Sequence, residues 1–338
     1  MNIAPYDVAI IGGGPAGLGA AIALGRSRRT VLVIDAGQPR NAPADGAHNV
    51  LGLEGITPGE LLARGRAEAS AYGATFLGGA VRTAAHDDGG FRLTVQLPDG
   101  GAGTVVGGSP ATGDSRPTTV RARRLILATG LVDVLPEVQG VREGWGHSVL
   151  HCPYCHGWEV RDQRIGILAG DARAAHQALL FHQLSDRVTI LPGWTSQSEG
   201  TAGVAWEAGD DDAPLKALGV PVASAPVTAL SLDGTQVRAA LLADGSRLEL
   251  DAVVVAPSFV ARTELYEQLG GDPEEQPMGR AIPADPMGRT PVPGVWVAGN
   301  AQNPMAMISA SSASGVQAGA AVNADLALED AERRIHTR

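Results

Sequence analysis

A strand, a glycine turn and a helix follow one another without interruption near the start of this chain. Residues 6–11 (Tyr-Asp-Val-Ala-Ile-Ile) form a short apolar run of the kind that is buried on both faces of a parallel sheet. Gly12-Gly13-Gly14-Pro15-Ala16-Gly17 comes next, followed by an Ala- and Leu-rich stretch, Leu18 to Arg26, that reads as a helix. A β-branched strand from Thr30 to Ile34 then ends at Asp35, 18 residues after Gly17. A G-x-G-x-x-G turn inside β-α-β, with an acid at that distance, is a dinucleotide-binding pattern. Gly12 permits the tight turn, Gly14 lets a pyrophosphate approach the backbone, and Gly17 lets helix and strand pack closely. Pro15 and Ala16 open the helix, whose free N–H groups face the anion, and Asp35 can accept hydrogen bonds from a ribose diol. The bland alternative is a glycine turn with no ligand; the flanking strands and the acid weigh against it. Position alone does not separate FAD from NAD.

The chain has 338 residues, room for about two domains of roughly 150 residues each. Apolar residues are 44% and charged residues 18%, which permits a large core and excludes general disorder. The 45 Gly and 22 Pro are about a fifth of the chain, below the roughly 25–30% of low-complexity sequences. A formal net charge of −10 argues against nucleic acid or an anionic membrane as main partner. The sole lysine is Lys216, so the cations are arginines. No apolar run reaches the roughly 18 residues needed to span a bilayer, and Met1–Asp7 lacks the basic-then-apolar order of a signal peptide. A soluble cytoplasmic protein is the expectation. Asp99 to Thr119 joins two strand-like runs, 91–97 and 120–127, and its Gly/Ser/Thr/Pro content without periodicity reads as a surface loop.

Two further strands end in small-residue turns: Leu125-Ile126-Leu127-Ala128-Thr129-Gly130, and Gly294-Val295-Trp296-Val297-Ala298-Gly299-Asn300. A small-residue helix pattern follows the second, from about Ser309 to Leu328. Together with the first motif, their order and spacing resemble the two-dinucleotide-domain flavoprotein disulfide reductases, in particular the low-molecular-weight thioredoxin reductase branch, over almost the whole chain. The resemblance implies an α/β fold of two Rossmann-like, three-layer ββα dinucleotide-binding domains, the second inserted in the first. The FAD-binding domain would comprise 1–145 and 258–338, and the inserted unit 146–257. It implies that the first motif binds the ADP moiety of FAD, that Ala128, Thr129 and Gly130 pass beside the cofactor, and that Gly299 and Asn300 hold the ribityl chain. The final helix would point its N-terminus at the isoalloxazine. Where the family commonly has Gly-Asp, this chain has Gly299-Asn300, and Asn can still accept from a ribityl hydroxyl. The segment after the second strand wraps the flavin in this family, which makes Ala36, Gln38, Arg40, Asn41 and His48 expected contacts; His48 is equally well read as a satisfied loop histidine. A homodimer is implied by resemblance alone.

The densest chemistry lies in His147-Ser148-Val149-Leu150-His151-Cys152-Pro153-Tyr154-Cys155-His156-Gly157-Trp158-Glu159. Cys152 and Cys155 are the chain's 2 cysteines, too few and too close for a disulfide scaffold. Two intervening residues let the sulfurs close a small ring, a helix beginning at Cys155 would lower the thiol pKa, and Pro153 stiffens the loop. Zinc would have His151, Cys152, Cys155 and His156 as nominal ligands, but adjacent residues rarely point into one tetrahedron. No metal is expected. Inert buried thiols and a redox dithiol beside a flavin are the other readings. Glutaredoxins share C-P-Y-C, but near the start of a small domain, whereas the thioredoxin reductase family keeps its pair mid-chain, as here. By that resemblance Cys155 faces the flavin and Cys152 exchanges with substrate. The family commonly places an acid after the second cysteine; here it is His156, which titrates near neutrality and suits taking protons from thiols. His147 and His151 remain alternatives for the proton acceptor.

Arg164–Ala169 (strand), Ala172–Leu184 (helix) and Arg187–Leu191 (strand) form a second α/β unit where the family places NADPH. Its turn, Leu168-Ala169-Gly170-Asp171-Ala172-Arg173-Ala174-Ala175, keeps one glycine. No arginine follows in Pro192-Gly193-Trp194-Thr195-Ser196-Gln197-Ser198, no acid until Glu199 and no base until Lys216. The fold is expected to persist with its nicotinamide site degenerate; a divergent loop that still binds NADPH is the alternative. A flavin and a dithiol without a hydride donor resemble the dithiol oxidases of disulfide natural products, of the gliotoxin and holomycin type. The implied reaction closes a disulfide in a small-molecule dithiol, with O2 as acceptor and H2O2 as product. The alternatives are an NADPH-dependent reductase of thioredoxin or a small disulfide, and a non-catalytic flavin-binding sensor.

Overall fold

The computed structural model describes residues 6–98, 117–171, 173–193 and 213–336. Most of the 99–119 loop, Ala172, and the 194–199 stretch in which no arginine was found lie outside the described residues. The chain opens with β1 (Tyr6–Ile11), α1 (Pro15–Arg26), β2 (Val31–Asp35), α2 (Pro58–Ala71), β3 (Thr75–Gly78), β4 (Ala80–Asp87), β5 (Gly90–Gln96) and β6 (Thr118–Leu127). After β7 (Leu131–Val134) come α3 (Val141–Gly144), β8 (Val149–Leu150), α4 (Pro153–His156), β9 (Ile165–Ala169), α5 (Arg173–His182), β10 (Val188–Pro192) and α6 (Ala213–Ala217). A run of strands follows: β11 (Val227–Asp233), β12 (Gln236–Leu242), β13 (Arg247–Glu249) and β14 (Ala252–Val254). The chain ends with β15 (Ser258–Ala261), α7 (Glu264–Gln268), β16 (Glu274–Gln276), β17 (Gly279–Ala281), β18 (Val295–Val297) and α8 (Ile308–His336). α1 begins at Pro15 rather than Leu18, because proline at the first helical position carries a fitting φ and lacks an N–H that would have no partner.

The chain forms two compact units. The first holds Met1–Ala42, Val50–Val132 and Phe259–Arg338; the second holds Pro43–Asn49 and Asp133–Ser258. The first crossing thus falls at 132/133, not 145/146, and the return falls at 258/259. The reason is packing: Leu135, Val138 and Val141 are buried in one core with Val227, Leu230 and Val237 of the second unit. Residues 43–49 also belong to the second unit, which the expected boundaries had not separated.

In the first unit, β3, β2, β1 and β6 are parallel neighbours. β6 is shared at its other edge: Leu125, Ile126 and Leu127 pair in parallel with β18, while Thr118–Ala122 pairs antiparallel with β5, which pairs with β4. Side chains alternate across the sheet. Ala9, Ile11, Leu32, Ile34, Leu125 and Leu127 face the β4–β5 layer with Phe91, Leu93 and Val95. Val8, Ile10, Val31, Val33, Ile126 and Trp296 face α1 and α8 through Leu18, Leu24, Ala318 and Val322. Each such large side chain stabilises the fold by about 1.5–3 kcal/mol relative to exposure. The C-terminal half of α8 is tied down by arginines: Arg29 to Asp330 at 2.6 Å, Arg123 to Asp330 at 2.6 Å, and Arg124 to Asp325 at 2.7 Å.

The second unit repeats this plan on a smaller scale. Its parallel sheet has the order β10-β9-β14-β8, and β11-β12-β13 form an antiparallel layer. Val149, Leu168, Leu191 and Val253 face that layer; Ile165, Ile167, Ile190 and Val254 face α5 through Ala174, Ala178 and Phe181. Two ββα units, the second inserted in the first, are the α/β architecture expected from the sequence. Among the described residues no helix is long and apolar enough to cross a membrane.

Candidate functional site

The first site lies at the C-terminal ends of β1, β6 and β18. Gly12 has φ +111°, a region that L side chains avoid, and a Cβ there would overlap the Ala128 carbonyl. A Cβ at Gly17 would overlap the Gly12 carbonyl, so that glycine sets the helix–turn packing. Gly14 differs: nothing lies within 4 Å of its ideal Cβ position. It is also the N-cap of α1 and gives no side-chain cap, so the turn offers uncapped amides beside open space, as a pyrophosphate requires. Asp35 ends β2, accepts from the Gly37 amide at 3.2 Å and overhangs Gly13. Its Oδ2 also accepts from Arg66 on α2.

The remaining predicted residues of this unit gather at the same strand ends. The Ala128 amide donates to Ile11 O at 2.9 Å, the Thr129 hydroxyl donates to Arg262 O at 2.9 Å, and Gly130 O accepts from the Arg262 amide at 3.1 Å. Gly299 N donates to Ser314 Oγ on α8 at 2.9 Å. Asn300 Nδ2 donates to the carbonyls of Asn303 (3.2 Å), Pro304 (3.2 Å) and Ala306 (2.9 Å). Its Oδ1 accepts from Arg40 at 3.4 Å, and the Arg40 guanidinium lies 5.0 Å from the Phe259 ring centre. Asn300 thus ties down the loop before α8 by donating, which the aspartate common at this position could not do. Ala36, Gln38 and Asn41 lie in the exposed to half-buried segment after β2. Arg66 was missed by sequence reasoning, because an arginine on a polar helix carries no signal of its own.

The second site is the C-x-x-C turn. Cys152 and Cys155 are joined as a disulfide with Cα atoms 5.3 Å apart. Cys152, not Cys155, caps the one-turn α4, and Pro153 takes its first position. The Cys152 carbonyl accepts from Cys155 N (3.3 Å) and His156 N (3.2 Å). Proline as first helical residue was the available signal for this start. Both cysteines and His156 are half-buried, whereas Tyr154 is 63% and Trp158 66% exposed. Burial pushes the His156 imidazolium to a pKa below the ordinary value; Glu159 and Asp45 oppose that shift, and His48 and His147 add to it. The buried Nε2 of His156 has no hydrogen-bond partner among the described residues. His48, expected at the cofactor, lies in the second unit with Nε2 3.5 Å from Glu159 Oε1. With the sulfurs joined, zinc has no thiolates to bind; among the described residues no group of three or more His, Cys, Asp or Glu is placed to hold a metal.

At the glycine-poor turn before α5, the chain supplies its own anion. Asp171 Oδ1 accepts from the Arg173 amide at 2.8 Å, and Oδ2 pairs with the Arg173 guanidinium at 2.6 Å. Arg173 continues to the carbonyls of Pro257 (3.0 Å) and Ala256 (3.1 Å) beyond β14. Burial would raise the Asp171 pKa, but the hydrogen bonds from Arg173 outweigh it and hold the carboxyl below its ordinary value. The glycine-poor turn thus carries a carboxylate with a depressed pKa, held by Arg173.

Paired ββα units, one with an uncapped glycine turn and the other with a C-x-x-C disulfide beside a histidine, define a two-unit disulfide oxidoreductase. The chain belongs to the pyridine nucleotide-disulphide oxidoreductase family, which it matches over residues 6–315. It is 32% identical over 299 residues to thioredoxin reductase tcpT of Claviceps purpurea, covering 87% of this chain and 86% of that one. To thioredoxin reductase sirT of Leptosphaeria maculans it is 28% identical over 334 residues, covering 94% and 93%. The solved structure of HlmI matches with a TM-score of 0.82 and 38% identity, over 98% of this chain and 96% of that one. An oxidoreductase from Agrobacterium tumefaciens matches with a TM-score of 0.81 and 34% identity, over 96% and 99%. The expected kinship with thioredoxin reductase-like enzymes is borne out.

Proposed function

We propose that this chain is an FAD-dependent dithiol oxidase that closes an intramolecular disulfide in a small-molecule dithiol. The observation that carries this reading is the Asp171–Arg173 pair at the glycine-poor turn, whose negative charge would repel a nucleotide pyrophosphate there. With no hydride donor, electrons enter through sulfur.

One substrate thiol gives its proton to the His156 imidazole and attacks Cys152 Sγ. The Cys152–Cys155 bond breaks, a mixed disulfide forms, and Cys155 leaves as a thiolate. The second substrate thiol attacks the substrate sulfur of the mixed disulfide, closes the substrate ring and releases Cys152. Two electrons and two protons have then moved from the substrate to the cysteine pair and its base. FAD, when bound, would supply the two-electron acceptor chemistry that returns the pair to a disulfide, with O2 as the final acceptor and H2O2 as the product. The glycine turn at Gly12, Gly14 and Gly17 would hold the pyrophosphate of that group, Asp35 its ribose, and Gly299 and Asn300 its ribityl chain. Further proposed partners are a second copy of the chain, and the proposed compartment is the cytoplasm.

Two relatives are named thioredoxin reductases, which favours a second reading, a disulfide reductase, for which NADPH would be the hydride donor. Anaerobic stopped-flow mixing of the FAD-loaded enzyme separates the two. Bleaching of the flavin by a small dithiol and not by NADPH, with H2O2 formed once air is admitted, is the expected result. Fast bleaching by NADPH would overturn the oxidase reading, and no bleaching by either would favour a flavin-binding sensor.

A further inference from the structure

The chain leaves the first unit after Ala42 and rejoins it at Val50, and residues 43–49 between these points pack with the second unit. They meet the redox turn and its surroundings at three places. Pro43 lies so close to Gly146 that a Cβ on that glycine would come within 2.9 Å of the proline ring. His48 reaches Glu159 at 3.5 Å. Asn49 Nδ2 donates to the carbonyl of Tyr154, between the two cysteines, at 2.7 Å. Asn49 reaches that carbonyl from a left-handed backbone, φ +59°, which asparagine tolerates better than most side chains. Ala47 is buried between these anchors, so the segment is seated on the unit and does not merely pass over it.

We infer that Asn49 is a positioning residue for the Cys152–Cys155 pair, whose amide fixes the Tyr154 carbonyl and so favours the turn in its closed, disulfide-bonded form. Joining the sulfurs confines the turn to a narrow range of backbone geometry, which two free thiols do not require. A hydrogen bond fitted to the closed turn therefore stabilises the disulfide relative to the dithiol. Without it the same pair is reduced more readily. Asn49 acts through the backbone carbonyl it holds. The inference rests on reading the pair as redox-active and adds a residue that sets its redox poise.

The test equilibrates the FAD-loaded full chain anaerobically in buffers of reduced and oxidised dithiothreitol, then counts free thiols by alkylation and mass. Reversible reduction of the unaltered chain is required first; if the pair does not cycle, the redox reading itself fails, whatever the variants do. Asn49→Asp keeps the shape and the tolerance for a left-handed backbone but replaces the donor with an acceptor. Asn49→Gly keeps the backbone and removes the side chain. Both are expected to shift the equilibrium toward the dithiol by about two- to tenfold, the worth of one hydrogen bond, and to lower the Tm of the oxidised chain by no more than a few degrees. A reversible unaltered pair with no shift in either variant overturns the inference. A shift in Asn49→Asp alone assigns the effect to added charge, a shift in Asn49→Gly alone assigns it to the backbone, and each also overturns it.

Discussion

Arg66, near the middle of α2, donates to the carboxylate of Asp35, the acid that closes β2 and overhangs the glycine turn. The guanidinium also lies 5.6 Å from the centre of the Phe76 ring, so both partners are fixed. Asp35 is thereby oriented before any ribose arrives. Arg66→Met is expected to weaken FAD binding about tenfold, the worth of a charge-assisted hydrogen bond. Fluorescence titration of apoprotein with FAD measures this, and an unchanged affinity would show that Arg66 has no part in the site.

Cys152→Ser and Cys155→Ser remove one sulfur each from the disulfide. Either is expected to lower dithiol-dependent H2O2 formation by at least about a thousandfold, as loss of a covalent nucleophile does. Bound FAD per chain, read from its absorbance, should not change. Loss of the flavin together with the activity would point to misfolding instead.

His156 is held below the ordinary histidine pKa of about 6.5, mainly by burial. It stays neutral, and able to take a proton, further into acid than an exposed histidine. Glu159 pulls this pKa up and His48 pushes it down. Glu159→Gln is therefore expected to move the acid limb of the pH–rate profile to lower pH, and His48→Gln to move it to higher pH. Limbs that stay in place in both variants would assign the proton to another group.

Asn300 donates to three carbonyls of the loop that leads into α8. Asn300→Asp puts a carboxylate against those oxygens and should destabilise the protein by about 1–3 kcal/mol. Denaturant unfolding of apoprotein measures this without the cofactor, and an unchanged midpoint would dismiss the role given to the amide.

Asp251 accepts from Arg164 at 3.0 Å (amide), 3.0 Å (Nε) and 2.7 Å (Nη2), and these bonds lower its pKa to about 2. A carboxylate with a depressed pKa in the folded state stabilises it above the unfolded value of about 4. That contribution fades as pH falls from there through about 2. Asp251→Asn should lower Tm at pH 7 and converge with the unaltered protein toward pH 2. A difference between the two that does not vary with pH would exclude the linkage.

The local elements were legible because their causes are local. β1, the glycine turn, α1 and Asp35 follow from one apolar run, three glycines and an acid, all within about thirty residues of one another. The C-x-x-C spacing suits the disulfide it forms, and the second turn's shortage of glycines is plain in the sequence. What the sequence hid is tertiary. The Asp35–Arg66 pair joins a strand to a helix 31 positions later, and no local pattern reports such a meeting. His48 and Asn49 precede the redox turn by about a hundred residues, so their place on the second unit could not be read from the strand that leads to them. Asn300 was read as an acceptor for a ribityl hydroxyl, and its donated bonds depend on how the loop folds back.

β18 and α8 lie at the far end of the chain, yet they complete the sheet edge and helical layer of the first unit. The second unit, apart from residues 43–49, is continuous from 133 to 258. During synthesis the inserted unit has nearly all its parts while the first still lacks a strand and a long helix, so the half with the glycine turn is assembled last. Folding of the first unit must wait for the ribosome to release residues beyond 300, and a chain stopped short of them would expose the apolar faces of Ile126 and Leu127.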